Sequence, residues 1–186
     1  MAFFTQIMHL RLEIGAGNSA ATGIMWGVAQ QTTIRDVEIE GGPAAVGLDM
    51  NGGGGTIEDI QIRGAEVGLK IASSQWALRG ITLSGAASVG ILGEQNTNVQ
   101  FVDLDVSHTP LGIQLSSGYS YVILDSRFRA ISGGTAISTS RPIYLENVTT
   151  DASIKSLVNK AGPAVLNRTE AYWQGAAYLH GTTSGT

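Results

Sequence analysis

Cysteine is missing from all 186 residues, which removes disulfides and cysteine-ligated metals and leaves the redox compartment unreadable. Charge is sparse as well. Only 14% of residues are Asp, Glu, Lys or Arg, the net charge is −4, and Lys and Arg nowhere form a run, so nucleic acid and an anionic membrane are poor partners. No apolar stretch reaches the roughly 18 residues of a membrane span. The opening "MAFFTQIMHLRLEI" has its only early cation at Arg11 and no unbroken apolar core ahead of a cleavage site, which makes it a poor signal peptide. His9, His108 and His180 stand apart, without H-x-H or H-E-x-x-H spacing, and no metal or other cofactor is expected. The "NGGGGT" at 51–56 lacks the Lys-Ser/Thr and the following helix of a phosphate loop and reads as a turn.

What is present is glycine, 25 residues of it, together with 43% hydrophobic residues, enough to offset the entropy of ordering one domain. The apolar residues keep a beat. Val37, Ile60, Ile81, Leu104, Ser126 and Val148 are spaced 23, 21, 23, 22 and 22 residues apart. Three residues before each comes Ile34, Ile57, Leu78, Phe101, Ile123 or Leu145, and two after comes Ile39, Ile62, Leu83, Val106 or Phe128, until Thr150 breaks the file. A second landmark holds the same period: Gly23-Ile24, Gly47-Leu48, Gly68-Leu69, Gly90-Ile91, Gly112-Ile113 and Ala136-Ile137. Two independent landmarks on one period define a repeat of about 22 residues.

A leucine-rich repeat shares this period, but Gly42, Ala65, Ala86 and Thr109 occupy the slot where it needs Asn. Its helical half is also missing, because each repeat continues with glycine and β-branched residues. The pattern instead predicts an all-β fold, a single-stranded right-handed parallel β-helix whose coils stack about 4.8 Å apart. Coils are expected over 1–160, with a C-terminal cap and tail over 161–186 in the same domain, since the last coil of a solenoid needs its strand edges covered. The amino end, a coil of about 27 residues, has no evident cap and is expected to pack on another chain or on more solenoid.

The run "ATGIMWGVAQQTTIRDVEIE" at 21–40 resembles a stretch of glycoside hydrolase family 55, the exo-acting β-1,3-glucanases within the pectate-lyase-like superfamily. The preceding "FFTQIMHLRLEI", the following "VGLDMNGGGGTIEDIQIRGAEVGLKI" and the late "WQGAAY" extend the likeness over nearly the whole chain. The resemblance implies two β-helical domains with a sugar groove between them and the catalytic glutamate in the second. The part matched here is similar to the first, so no position of this chain inherits the family's general acid. The chain is expected to be the half that lacks it or, alternatively, a non-catalytic structural or glycan-binding β-helix, a fibre or tail-spike-like segment or a truncated fold. A polysaccharide partner (β-1,3-glucan or similar), a second β-helix domain or a second copy, and an extracellular location are what it leads one to expect. The signatures of a polygalacturonase, G-H-G and R-I-K, are absent, as is an aspartate cluster for calcium.

Candidate site residues follow from the repeat. Asp36, Asp59, Gly80, Asp103, Asp125 and Asn147 precede the Val37-type positions. Carboxylates on adjacent coils would lie about 4.8 Å apart, or about 9.6 Å across two coils, the spacings that suit a retaining or an inverting glycosidase. A file that tolerates Gly and Asn reads more simply as a repeated bend. The outward file Glu38, Gln61, Thr82, Asp105, Arg127, Thr149 forms a polar strip, either a solvated face or the floor of a saccharide groove. Asp103, Asp105 and Asp125 are thus the weak catalytic candidates, and Arg127, Trp76, Tyr119 and Tyr121 the candidates for holding sugar. Trp26 follows inward Ile24 by two and reads as core, whereas Trp76, after a turn, reads as exposed. Asn147-Val-Thr149 and Asn167-Arg-Thr169 are glycosylation sequons, relevant only to a secreted eukaryotic protein.

Overall fold

The computed structural model describes residues 3–72, 74–95, 97–118 and 120–158, and the backbone of 168–174. Among them there are sixteen strands and no helix. In chain order the first eight are β1 (Gln6–Glu13), β2 (Thr22–Trp26), β3 (Thr32–Gly42), β4 (Val46–Met50), β5 (Gly54–Gly64), β6 (Val67–Ile71), β7 (Ser74–Ser84) and β8 (Val89–Gly93). The rest are β9 (Thr97–Thr109), β10 (Leu111–Leu115), β11 (Ser120–Leu124), β12 (Arg127–Ile131), β13 (Thr135–Thr139), β14 (Ile143–Thr150), β15 (Ser156–Val158) and β16 (Arg168–Gln174).

They wind into a parallel β-solenoid. One sheet stacks β1, β3, β5, β7 and β9, then β11, β12 and β14; the other stacks β2, β4, β6, β8, β10, β13 and β15. The registers reproduce both sequence landmarks. Leu10, Val37, Ile60, Ile81 and Leu104 lie one over another, as do Ile24, Leu48, Leu69, Ile91, Ile113, Ile137 and Val158. The residues of both files from Val37 and Ile24 onward are buried. Ser126, the polar interloper in the first file, is buried too, and its hydroxyl is satisfied: it accepts from Leu104 N–H at 3.1 Å and donates to Leu124 C=O at 2.6 Å.

Each long strand turns at the residue before the Val37-type position. His9, Asp36, Asp59, Gly80, Asp103, Asp125 and Asn147 all have φ between 50° and 64°. Short polar residues and glycine reach this left-handed conformation at least cost, which accounts for the composition of the file. The bend divides the larger sheet into a first face ahead of it and a second face behind it; the smaller sheet is the third face. The glycines of the second landmark answer to a different constraint. A Cβ on Gly47, Gly68 or Gly90 would lie 2.6–2.7 Å from the carbonyl oxygen of the glycine one coil on, so the rungs can close to hydrogen-bonding distance there only without a side chain.

The two ends differ. β16 runs antiparallel along β14 and reverses the direction of the chain. At the other end β1 pairs on one side, with β3. The exposed large apolar residues of the described protein are Phe3, Phe4, Met8, Leu10 and Met25, all in or before the first two strands.

Candidate functional site

Alternation along the second face sends Val106-type residues inward and their neighbours to solvent, where registered strands line them up. Arg11, Glu38, Gln61, Thr82, Asp105, Arg127 and Thr149 form one outward file. Over its later coils this file meets the bend file, and together they enclose an open cleft of about 240 Å³ lined by Asp103, Asp105, Asp125, Arg127, Asn147 and Thr149. The fold therefore brings the three aspartate candidates and Arg127 to one place. β9 supplies Asp103 and Asp105, the corner between β11 and β12 supplies Asp125, and β12 supplies Arg127 and Arg129.

The three carboxylates are held differently. Asp105 is clamped: Arg127 Nη2 donates to its Oδ2 at 2.5 Å, and Arg129 Nη2 donates to both oxygens at 3.0 and 2.8 Å. Its side chain is only 16% exposed, against 56% and 43% for the two arginines. The bond and charge of Asp105 raise the pKa of Arg127 above its ordinary value. Asp125 accepts a hydrogen bond from Asn147 Nδ2 at 2.6 Å, one rung along the bend file, as Asp36 meets His9 Nδ1 at 2.6 Å at the start of that file. Asp103 is exposed at the mouth of the cleft and, among the described residues, has no hydrogen-bond partner. Beside the cleft, Asp151 accepts from Ala130 N–H at 2.8 Å and Ser153 N–H at 2.9 Å. The Ser153 hydroxyl is the chief reason its carboxyl lies below the usual range.

Two aromatic candidates are not platforms. Trp76 is 3% exposed and Tyr121 0%. Both belong to the inward file Gly55, Trp76, Val99, Tyr121, Ile143, two residues ahead of the Ile57 file, so period-two alternation buries them. Tyr121 satisfies its hydroxyl by donating to Ser117 C=O at 2.6 Å. The reasoning that reads Trp26 as core applies equally to Trp76, whose place two residues before Leu78 outweighs its nearness to a turn. Tyr119 lies outside the described residues, as do the side chain of Trp173, His180 and Asn167.

The third face holds a cluster that sequence reasoning missed. Asp49 and Lys70 are registered neighbours, and Lys70 Nζ pairs with Glu94 at 3.2 Å. Burial, opposed by Lys70 and assisted by Glu94, pushes the Asp49 carboxyl up, and its Oδ1 is buried without a partner. The second landmark carried the signal, since Asp49 and Lys70 each follow its glycine by two.

A family model described as rhamnogalacturonase A/epimerase, pectate lyase-like, matches residues 1–114. The match takes in Asp103 and Asp105 and stops short of Asp125 and Arg127. No curated protein matches the chain.

Proposed function

Because the chain belongs to the rhamnogalacturonase A/epimerase, pectate lyase-like family, we propose that it binds a polysaccharide along the outside of its coils without itself supplying the acid for hydrolysis. The observation that carries the second half is the state of Asp105. Both of its oxygens are taken up by guanidiniums, so the least exposed carboxylate of the cleft is engaged in anchoring two arginines. Asp103 and Asp125 occupy left-handed bends, where a short polar residue has a structural reason to be. A β-1,3-glucan is the glycan favoured by the likeness of residues 21–40 to the exo-β-1,3-glucanases; pectic chains are favoured by the family description. On the first of these readings the chain is a relative of the half of those enzymes that lacks the catalytic acid.

A catalytic reading has one observation in its favour. Asp103 and Asp125 share a cleft on neighbouring rungs, whose backbones stack about 4.8 Å apart, near the separation of a retaining pair. Affinity electrophoresis in gels carrying β-1,3-glucan, polygalacturonate or rhamnogalacturonan, run beside an assay for new reducing ends, separates the two. Retention by at least one polymer without new reducing ends is expected. Reducing ends that disappear in Asp103→Asn or Asp125→Asn, at unchanged melting temperature, would make the chain an enzyme.

A further inference from the structure

The first face carries a groove of a different character from the cleft. It measures about 460 Å³, within the range of ligand sites, and is lined by Gly55, Gln75, Trp76, Ala77, Asn98, Val99, Gln100, Ser120 and Val122, none of them ionisable. Its cause is local. The outward file there runs Thr56, Ala77, Gln100, Val122, and the short Ala77 leaves a hollow between longer neighbours. A parallel file, Gln75, Asn98, Ser120, forms the other wall. Asn98 is committed to the fold, its Oδ1 accepting from Ser120 N–H at 3.2 Å and Oγ–H at 3.3 Å. Gln75 and Gln100 are exposed, and among the described residues their amides have no hydrogen-bond partner.

We infer that this groove binds a neutral, linear hexose polymer lying along the solenoid axis. The inference rests on the glycan-binding reading above and gives it a chemical class and a second location. Three observations support it. A neutral sugar presents hydroxyls that both donate and accept, and a primary amide answers both; a uronate would want a cation, and the lining has none. Ala77 and Val122 offer an apolar floor to the C–H face of a ring. The wall positions recur once per rung, about 4.8 Å, close to the length of one pyranose, so successive sugars of a chain along the axis meet successive rungs.

The test is affinity electrophoresis of the whole chain in soluble β-1,3-glucan and, separately, in polygalacturonate. The variants are Ala77→Glu and Gln100→Ala, each checked for an unchanged melting temperature. Ala77→Glu should weaken retention by the neutral glucan roughly tenfold, since it puts an unpaired charge in the ligand's path. Gln100→Ala should weaken it by about threefold, the loss of one modest hydrogen bond. Retention indifferent to Ala77→Glu, or stronger in polygalacturonate than in the glucan, would overturn the groove while leaving glycan binding intact. If the parent chain is retained by no polysaccharide, the broader reading falls with it. Should Ala77→Glu unfold the chain, Ala77→Gln provides the same obstruction without the charge, and undiminished retention in that variant would overturn the groove equally.

Discussion

The first and second faces of each coil belong to the same sheet, are joined by a single bend, and bury equivalent files of Ile, Leu and Val, yet their outer surfaces have little in common. Beyond the bend the strip is ionic, with Asp105 under two guanidiniums and Arg63 shared between Glu40 and Gln61. Ahead of it the groove around Ala77 has no ionisable residue in its lining. The inward positions repeat because every rung must fill the same volume over its neighbour; the outward ones answer only to solvent and so are free to diverge. Function in such a molecule belongs to the outward files.

The likeness of the two interiors can be challenged at its root. Ile57→Ala on the first face and Ile62→Ala on the second should each cost about 2–5 kcal/mol in urea denaturation, because both are fully buried in one continuous core. A large inequality between them would mean the two faces are not packed alike. The bend itself comes next. Asp103→Val should lose roughly 1–2 kcal/mol, since a branched side chain resists φ near 56°, whereas Asp103→Asn should stay within about 0.5 kcal/mol of the parent. Equal losses would mean that the carboxylate, not the conformation, is what the site needs.

Charge separates the two grooves further. Asp105→Ala strands Arg127 and Arg129 and should cost about 1 kcal/mol, a figure kept low because both arginines are about half in solvent. The matching truncation across the bend, Gln100→Ala, should leave thermal stability unchanged.

The third face supplies the smallest effect and a control for both. Asp49 holds its proton to higher pH in the folded chain than in the unfolded one, so between the unfolded value and the raised one the folded state binds more protons and stability falls as pH rises. Asp49→Asn should therefore raise the melting temperature at neutral pH and lose that advantage below the ordinary aspartate range. A gain that persists in acid would assign it to something other than ionisation.

Much of this was legible before any coordinates. The period, the buried files and the left-handed bend of Asp36, Asp59, Asp103 and Asp125 follow from spacing and residue type, because backbone conformation and core volume act on every coil alike. The gathering of Asp103, Asp105, Asp125 and Arg127 was legible for the same reason, a file in the sequence being a neighbourhood in the fold. Trp76 misled because a nearby turn suggests exposure, while alternation counted back from Leu78 buries it, as the same count from Ile123 buries Tyr121. The hollow at Ala77 could not be foreseen, since it arises from the difference between one side chain and its neighbours on adjacent rungs. Asp49 escaped because half-burial of a carboxylate is a property of packing that no spacing records.

β16 lies antiparallel on β14, whereas β1 has a backbone edge unpaired among the described residues. Growth of the larger sheet by further parallel rungs is consequently directional: a newcomer finds a parallel template beside Gln6–Glu13, whereas the strand at the other end, Arg168–Gln174, runs against the coils. A preparation in which chains associate should do so nose first, and a single proline in β1, withholding an N–H from that template, should be more effective at keeping it dispersed than any change at the tail.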